Sequence, residues 1–553
     1  MIKIFNKDGT PLCECAFREH TSIEQLVKDA AGKMPENIYS CRIGNHKHGL
    51  TDFAEDGDEI TLCGMNDPMG SLAYQTSLCF LYIKAVHDIL GTDIPVRIAN
   101  TLNNGLLTKV RKVTVSEEDL QKITARMKEL VALDLPIRSR KVGREELIRF
   151  LKENERSEQL DLVLSSEEVD SAYIYQLEDE KQSFYFPMVP STGYLKLFEC
   201  VRYKNAIILR YPSSRSGGKI PPFEEQPLIY NAFSEATRWD RIMGVHYACD
   251  LNDRIRAGES EDLILMSEAL HEKRIAEIAQ AIKIKNKRII LIAGPSSSGK
   301  TSFAKRLCIQ LRVIGLRPLY LGTDDYFHDD DETPLLENGE KDWESIRAVD
   351  TELFTSNMNE LLQGHKVDLP TFDFKLHRKV FGQRVTAIDS SQPIVIEGIH
   401  GLNPQLTEGI DDSEKYKIYI SPLIQVRIDI YNRIPNSDLR CLRRIIRDNQ
   451  FRDHTAEETL LRWKSVRDGE EVNIFPYTEL ADEYFNSCCI YEPSVNKRYA
   501  SRLLKQITDE SPAYGEAQRL LQLLKAFVPM EDDSAVPNNS LIREFIGGSV
   551  LVH

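Results

Sequence analysis

The 553-residue chain is short of the features that mark several protein classes. It contains no C-x-x-C pair. Its 11 cysteines are scattered, with only Cys13/Cys15 and Cys488/Cys489 close together. That pattern speaks against a structural zinc site or a disulfide framework and for reduced thiols in a cytoplasmic protein. Basic residues are not in excess: 70 Lys and Arg against 85 Asp and Glu leave a net charge of −15. Such a balance argues against broad, unspecific nucleic-acid binding, although a local basic patch stays open. No long apolar run occurs. The most apolar window, Leu78 to Ile89, is short and is broken by Lys84, His87 and Asp88, so it is not a membrane span. Met1-Ile2-Lys3-Ile4-Phe5 lacks the basic head and apolar stretch of a signal peptide. Between Leu50 and Val245 the only histidine is His87.

What is present begins with length. A chain this long exceeds one hydrophobic core, and two to four domains are expected. Hydrophobic content of 42% and charged content of 28% are ordinary for globular protein.

The most informative stretch is Ile289-Ile290-Leu291-Ile292-Ala293-Gly294-Pro295-Ser296-Ser297-Ser298-Gly299-Lys300-Thr301. It reads as a buried strand, a glycine-bounded loop and a helix, and it matches the phosphate-cradling pattern G-x-x-x-x-G-K-[ST]. Loop amides can converge on phosphate oxygens, and the helix dipole adds positive potential. Gly294, Ser296, Ser297, Ser298, Gly299, Lys300, Thr301 and Ser302 are therefore candidate nucleotide contacts. Lys300 would meet the β- and γ-phosphates, and Thr301 would hold Mg²⁺. Phe303, Leu307, Leu311 and Ile314 recur at helical spacing, which predicts one buried stripe.

Two further strands end in acids. Pro318-Leu319-Tyr320-Leu321 leads into Asp324-Asp325-Tyr326-Phe327, and Ile394-Val395-Ile396 into Glu397. Carboxylates at strand C-termini lie where α/β sheets bind ligands. One of the aspartates can take a proton from an attacking hydroxyl, and Glu397 suits a Mg²⁺ or water-positioning role. Cys441 to Arg447 carries Arg443, Arg444 and Arg447, and a helix sets Arg443 and Arg447 on one face. Guanidinium forks there would bind phosphate oxygens.

From Gly294 to about Ile507 these motifs resemble the uridine kinase branch of the uridine kinase/phosphoribulokinase family. Asp342-Trp343-Glu344, Leu369-Pro370-Thr371-Phe372 and His377 complete the match. The resemblance implies Asp324 as general base on a nucleoside 5′-hydroxyl, with Lys300 as its catalytic partner. It implies Glu344 at the ribose, and Phe327, Phe372 and His377 around the base. Arg444, Arg447 and Arg452 would form a lid, with Arg443 also toward the nucleotide. Glu344 replaces a family Asp, Phe372 an aromatic that is often Tyr, Phe327 a common Tyr, and His454 a further lid arginine. The implied cofactors are ATP or GTP with Mg²⁺.

The front of the chain carries two more resemblances. Ile2 and Ile4 alternate with polar residues, Asp8-Gly9 offers a hairpin turn, and Thr21 or Ser22 offers a cap for a helix through Leu26 and Val27. With Glu59-Ile60-Thr61-Leu62, residues 1–64 resemble the β-grasp TGS module of threonyl-tRNA synthetases. Leu78–Leu90, Thr114–Val131, Leu135–Glu146 and Met188–Gly193 make 65–250 similar to the α+β editing domain of that family. That domain's H-x-x-x-H pair falls here near Thr76 and Phe80, and its later Cys and His near Phe184 and Met188. Its chemistry is therefore not expected. His87 is expected to be a packing histidine.

The expected organisation is a connecting helix over 251–285, an α/β P-loop kinase with a parallel sheet over 286–510, and a helix with a docking tail over 511–553. Ser213–Pro222 reads as a loop, in which Gly217-Gly218-Lys219 is a weak phosphate-binding idea. Glu470–Pro476 and Ala481-Asp482 read as a buried return to the final strand. Three functions compete: a uridine or cytidine kinase, a kinase of another small alcohol, and a tRNA- or ribosome-associated NTPase switch docking RNA through its front half. A homo-oligomer and no membrane partner are expected.

Overall fold

The computed structural model describes residues 1–213, 218–335, 339, 341–424 and 426–552. The Gly217-Gly218-Lys219 idea falls partly on 214–217, outside the described residues.

A five-stranded, wholly parallel sheet organises the second half of the chain. Its order is Leu319–Gly322, Ile394–Glu397, Ile289–Ala293, Lys415–Ser421, Glu483–Asn486. Ile289 to Ala293 is buried at every position, as an unbroken apolar run in the middle of a covered sheet demands. Helix Lys300–Val313 lies against it through Phe303, Leu307 and Leu311, all completely enclosed, each side chain contributing about 1.5–3 kcal/mol of burial. Ile314 is only half-buried, because the helix ends there.

The expected single helix over 251–285 is instead two, Ala248–Arg256 and Ser260–Ile284, parted by a turn. The second packs Ile275, Ile278, Ala279 and Ile282 on the sheet. The chain through Glu470–Pro476 and Ala481-Asp482 does return to the final strand, but by a helix end and a turn in which Val472, Pro476, Leu480 and Asp482 are exposed. Glu470 to Asn473 closes helix Ala456–Asn473, a short 3-10 turn Phe475–Leu480 follows, and only then comes the edge strand. The capping box of Thr455 and Glu458 starts that helix.

At the front, five strands order as Pro11–Cys15, Ile2–Phe5, Glu59–Cys63, Ser40–Ile43, His46–His48. Ile2–Phe5 runs parallel to Glu59–Cys63. Helix Ile23–Ala31, capped by Ser22, buries Leu26 and Val27 on Ile2, Ile4, Ile60 and Leu62. Next come helix Pro68–Leu90, a four-stranded sheet that includes the Val96–Leu102/Gly105–Val110 hairpin, and a three-stranded sheet around Ser171–Leu177. Phe80 and Phe184 meet edge-on at 5.9 Å, and Met188 is also buried, so apolar packing fills this region. His87 is enclosed between Glu180 (2.7 Å) and the carbonyl of Ile94 (3.2 Å), a satisfied core histidine. No helix among the described residues is long and apolar enough to cross a membrane.

Candidate active site

The glycine loop sits at the C-terminal end of the central strand. A Cβ on Gly294 would lie 2.1 Å from the carbonyl oxygen of Ile420, so only glycine lets the loop pass the neighbouring strand. Gly299 caps the helix with φ of 88°, a conformation that strains other residues. Lys300 bridges the loop, donating to the carbonyls of Gly294 (3.0 Å) and Pro295 (3.2 Å). The hydroxyls of Ser297 and Ser298 are buried without a hydrogen-bond partner among the described residues. Buried hydroxyls left unpaired are costly, and a phosphate oxygen would satisfy them.

Neighbouring strands bring the acids to this loop. Gly322 pairs with Glu397 across the sheet, and the short 3-10 turn Thr323–Tyr326 carries Asp324 off the strand end. Thr301 Oγ1 donates to Glu397 Oε1 at 2.9 Å, and Tyr320 OH donates to the same oxygen at 3.2 Å. Asp325 is engaged elsewhere, accepting from Phe372 N at 3.3 Å and pairing with Arg384 at 2.7 Å. Asp324 makes no ion pair among the described residues and is open to solvent, while Lys300 is close enough to act on its charge. Asp324 and Glu397 both adjoin the glycine loop, through Lys300 and Thr301. Desolvation raises both carboxyls above their ordinary range, Lys300 draws them back, and neighbouring acids push them up again. A carboxyl shifted in that direction takes up a proton more readily than an ordinary aspartate.

A wall of rings faces the same crevice. Phe327 meets Trp343 at 5.3 Å and Phe372 at 5.7 Å, and Trp343 stacks on His377 at 5.8 Å with 26° between planes. His377 sits at the tip of the hairpin Val367–Asp373/Arg378–Thr386, with φ of 47°. Trp343 stands in the Asp342-Trp343-Glu344 motif without an assigned role, and one of three tryptophans beside Glu344 is the signal that could have supplied it. Glu344 packs on helix Ala456–Asn473 at Gly469. Burial and Glu470 raise its carboxyl, against the pull of Arg444 and Lys300.

The arginine helix, Asn436–Phe451, requires a correction. Arg443 does not face the crevice. It is fully enclosed, paired with Glu492 (2.7 Å), and donates to the carbonyls of Ser297 (3.2 Å) and Ser298 (3.4 Å), so it props the glycine loop from beneath. Its donors are already engaged, which leaves none to grip a phosphate. Arg440, not anticipated, does the same beside it, bonded to Glu470 (2.7 Å) and the Ser296 carbonyl (3.1 Å). Burial alone would raise the Glu470 carboxyl, but Arg440 and Arg467 hold it low. Arg444 reaches Ser296 Oγ at 2.8 Å. Arg444, Arg447 and Arg452 gather around Asp448 at 3.2, 2.8 and 3.6 Å. His454 lies 3.6 Å from Glu458.

The segment beyond residue 511 reaches this site as well. Helix Tyr514–Leu524 is followed by a strap in which Leu541, Ile542, Phe545 and Ile546 are buried. Glu544 accepts from Ser302 N (3.1 Å) and Ser302 Oγ (2.7 Å), and the Phe545 ring lies 4.9 Å from the Arg443 guanidinium. Cys488 and Cys489 are buried, and desolvation pushes both thiols well above their usual range. They are packing residues.

A glycine cradle, unpaired loop hydroxyls and a Thr301–Glu397 pair at a parallel sheet's C-terminal edge have the geometry of a P-loop phosphotransferase. The same elements fit Mg²⁺ and a nucleoside triphosphate. Residues 289–489 match the model of the phosphoribulokinase/uridine kinase family. A uridine kinase of Staphylococcus epidermidis is 30% identical over 195 residues, covering 35% of this chain and 84% of that protein. A uridine kinase of Staphylococcus haemolyticus is 29% identical over 181 residues, covering 33% and 78%. A solved structure described as a possible uridine kinase from Bacillus stearothermophilus shares 19% identity, covering 39% of this chain and 98% of that one. Its TM-score of 0.27 is too low to argue from. Through residues 289–489 the chain belongs to the phosphoribulokinase/uridine kinase family, and it is a phosphotransferase with an alcohol acceptor.

Proposed function

We propose that the enzyme transfers the γ-phosphate of ATP or GTP to the 5′-hydroxyl of a pyrimidine nucleoside such as uridine or cytidine. The observation that carries this reading is the meeting of three groups at the C-terminal edge of the sheet: Lys300 on the loop, Glu397 bonded to Thr301, and Asp324, without an ion pair among the described residues, one strand away. In this scheme the loop amides and Lys300 hold the triphosphate, and Thr301 with Glu397 holds Mg²⁺, which supplies charge neutralisation when bound. Asp324 accepts the hydroxyl proton, with Arg444, Arg447 and Arg452 toward the phosphates. Glu344 takes the ribose hydroxyls. Phe327, Trp343, Phe372 and His377 offer aromatic surface for a flat base. That surface favours a nucleoside over a bare sugar phosphate. For the front half, the parallel pairing of Ile2–Phe5 with Glu59–Cys63 supports a TGS-like β-grasp module, and the buried Phe80 and Phe184 support an editing-like domain without its reaction.

A panel of nucleosides and small alcohols, scored for acceptor-dependent release of ADP or GDP, tests the reading. Uridine or cytidine should lead the panel, and Asp324→Asn should lower turnover by about 10²–10⁴-fold. Equal release without any acceptor, unaffected by Asp324→Asn, would replace this reading with an NTPase switch.

A further inference from the structure

A second cavity, away from the glycine loop, is lined by five cations and one carboxylate. It has a volume of about 360 Å³ and is bounded by Arg97, Lys109, Arg111, Arg241 and Arg427 with Asp240, His246 and Tyr247. Three remote pieces of chain build it. Arg97 and Lys109 are direct partners in the Val96–Leu102/Gly105–Val110 hairpin, so both side chains leave the same face of that sheet. Arg111 continues the ladder, its amide bonded to the Pro95 carbonyl, and alternation puts it on that face too. Asp240 and Arg241 come from helix Pro227–Met243, and Arg427 from the segment after strand Lys415–Ser421, which bridges to Tyr247.

The charges in this cavity are not neutralised from within. Arg97 and Arg427 are more than nine-tenths buried, and neither makes an ion pair among the described residues; the same holds for Lys109, Arg111 and Arg241. The Nε atoms of Arg97 and Arg427, Asp240 Oδ1 and the Tyr247 hydroxyl are buried with no hydrogen-bond partner. Like charges opposite each other on paired strands repel, and buried unpaired charge is expensive. Burial, with Arg427 and Arg111 nearby, pulls Arg97 down to about 10, and burial with Arg97, Arg427 and Arg111 nearby lowers Lys109. In a chain whose net charge is −15, such a local excess of positive charge suits an anion.

We propose that this cavity is a binding site for a small phosphate-bearing anion. The two buried guanidinium groups, Arg97 and Arg427, each with an Nε that has no partner among the described residues, match the oxygens of a phosphate or diphosphate group, although Arg427 Nη1 also donates to the His246 carbonyl at 3.5 Å. The exposed Arg111 and Arg241 add positive charge, and the size of the cavity selects a small molecule rather than a duplex. The Tyr247 hydroxyl and Thr237 supply neutral polar contacts for the remainder of the ligand.

The test is calorimetric titration of the full chain with inorganic pyrophosphate and, separately, UMP, in parent and Lys300→Ala backgrounds. The second background removes the main phosphate contact of the kinase site. Binding should persist in Lys300→Ala and weaken about tenfold or more on adding Arg97→Gln or Arg427→Gln, the scale of one charge-assisted hydrogen bond. The two probes tell whether inorganic diphosphate or a nucleotide is the better source of the anion. Should a buried-arginine variant not fold, Lys109→Gln, at a half-buried position, serves instead and should weaken binding several-fold. Binding abolished by Lys300→Ala and unchanged by Arg97→Gln, no binding of either probe, or equal preference for citrate would overturn the proposal.

A separate set of contacts carries a second inference, which rests on Ser302 being a nucleotide contact. We infer that the strap around Glu544 competes with nucleotide at the glycine loop, since its carboxylate engages both donors of Ser302, amide and hydroxyl. Direct titration with the non-transferring nucleotide ADP should show several-fold tighter binding for Glu544→Gln than for the parent. Equal ADP affinity would overturn it. Failure of the kinase reading would show separately, as absent nucleoside-dependent turnover.

Discussion

Two clusters of buried arginine sit in this acidic protein, and they are built on opposite principles. On helix Asn436–Phe451 every buried guanidinium has a carboxylate: Arg440 with Glu470, Arg443 with Glu492, Arg444 with Asp448. In the cavity between the Val96–Val110 hairpin and helix Pro227–Met243, the buried Arg97 and Arg427 share Asp240, the one carboxylate among the lining residues described. A buried cation that comes with its own anion is a structural part. One that comes without is an open valence. The first cluster holds the glycine loop in shape from below, and the second waits for charge from outside.

The comparison breaks most sharply at Arg443. Arg443→Met leaves Glu492 enclosed without a counter-charge, and the expected loss of stability is about 3–5 kcal/mol, read from the midpoint of urea unfolding. Arg97→Met, by contrast, should leave the ligand-free protein unchanged or slightly more stable. Equal losses at the two positions would erase the distinction. A smaller effect sharpens it. Burial raises the Asp240 carboxyl to about 7, although Arg427 and Arg97 pull it down. The folded chain then keeps a proton that the unfolded chain releases near its ordinary value of 3.8. Stability should therefore fall as pH rises from about 4 to 7, by at most about 4 kcal/mol. In Asp240→Asn that part of the pH dependence should vanish from thermal unfolding midpoints measured across the window.

The same contrast explains what the sequence disclosed. The strand, glycine loop and stripe of Phe303, Leu307 and Leu311 are one contiguous pattern, and their local spacing sufficed. Glu397 was legible because it ends an apolar run. The arginine run was equally visible, but its orientation was not: the same 3.6-residue turn offers Arg443 to the glycine loop's underside and Arg444 to its mouth, and only the partners Glu492 and Asp448 decide which. Trp343 was passed over because its role lies in stacking on His377, set by a hairpin 30 residues on. The basic cavity left no trace, since its members come from segments around 97–111, 237–247 and 427. A pairwise charge pattern shows only when its members share one element.

The strap contact at Leu541 bears on how the protein is made. Leu541 belongs to the same apolar cluster as Ile290, Ile292 and Phe303, and its methyl would lie 3.3 Å from a Cβ at Gly299. A ribosome delivers all five parallel strands well before that leucine emerges. During synthesis the emerging enzyme therefore passes through an interval with its sheet complete and one wall of its nucleotide crevice still missing, and a chaperone that recognises bare apolar surface would meet it at that stage.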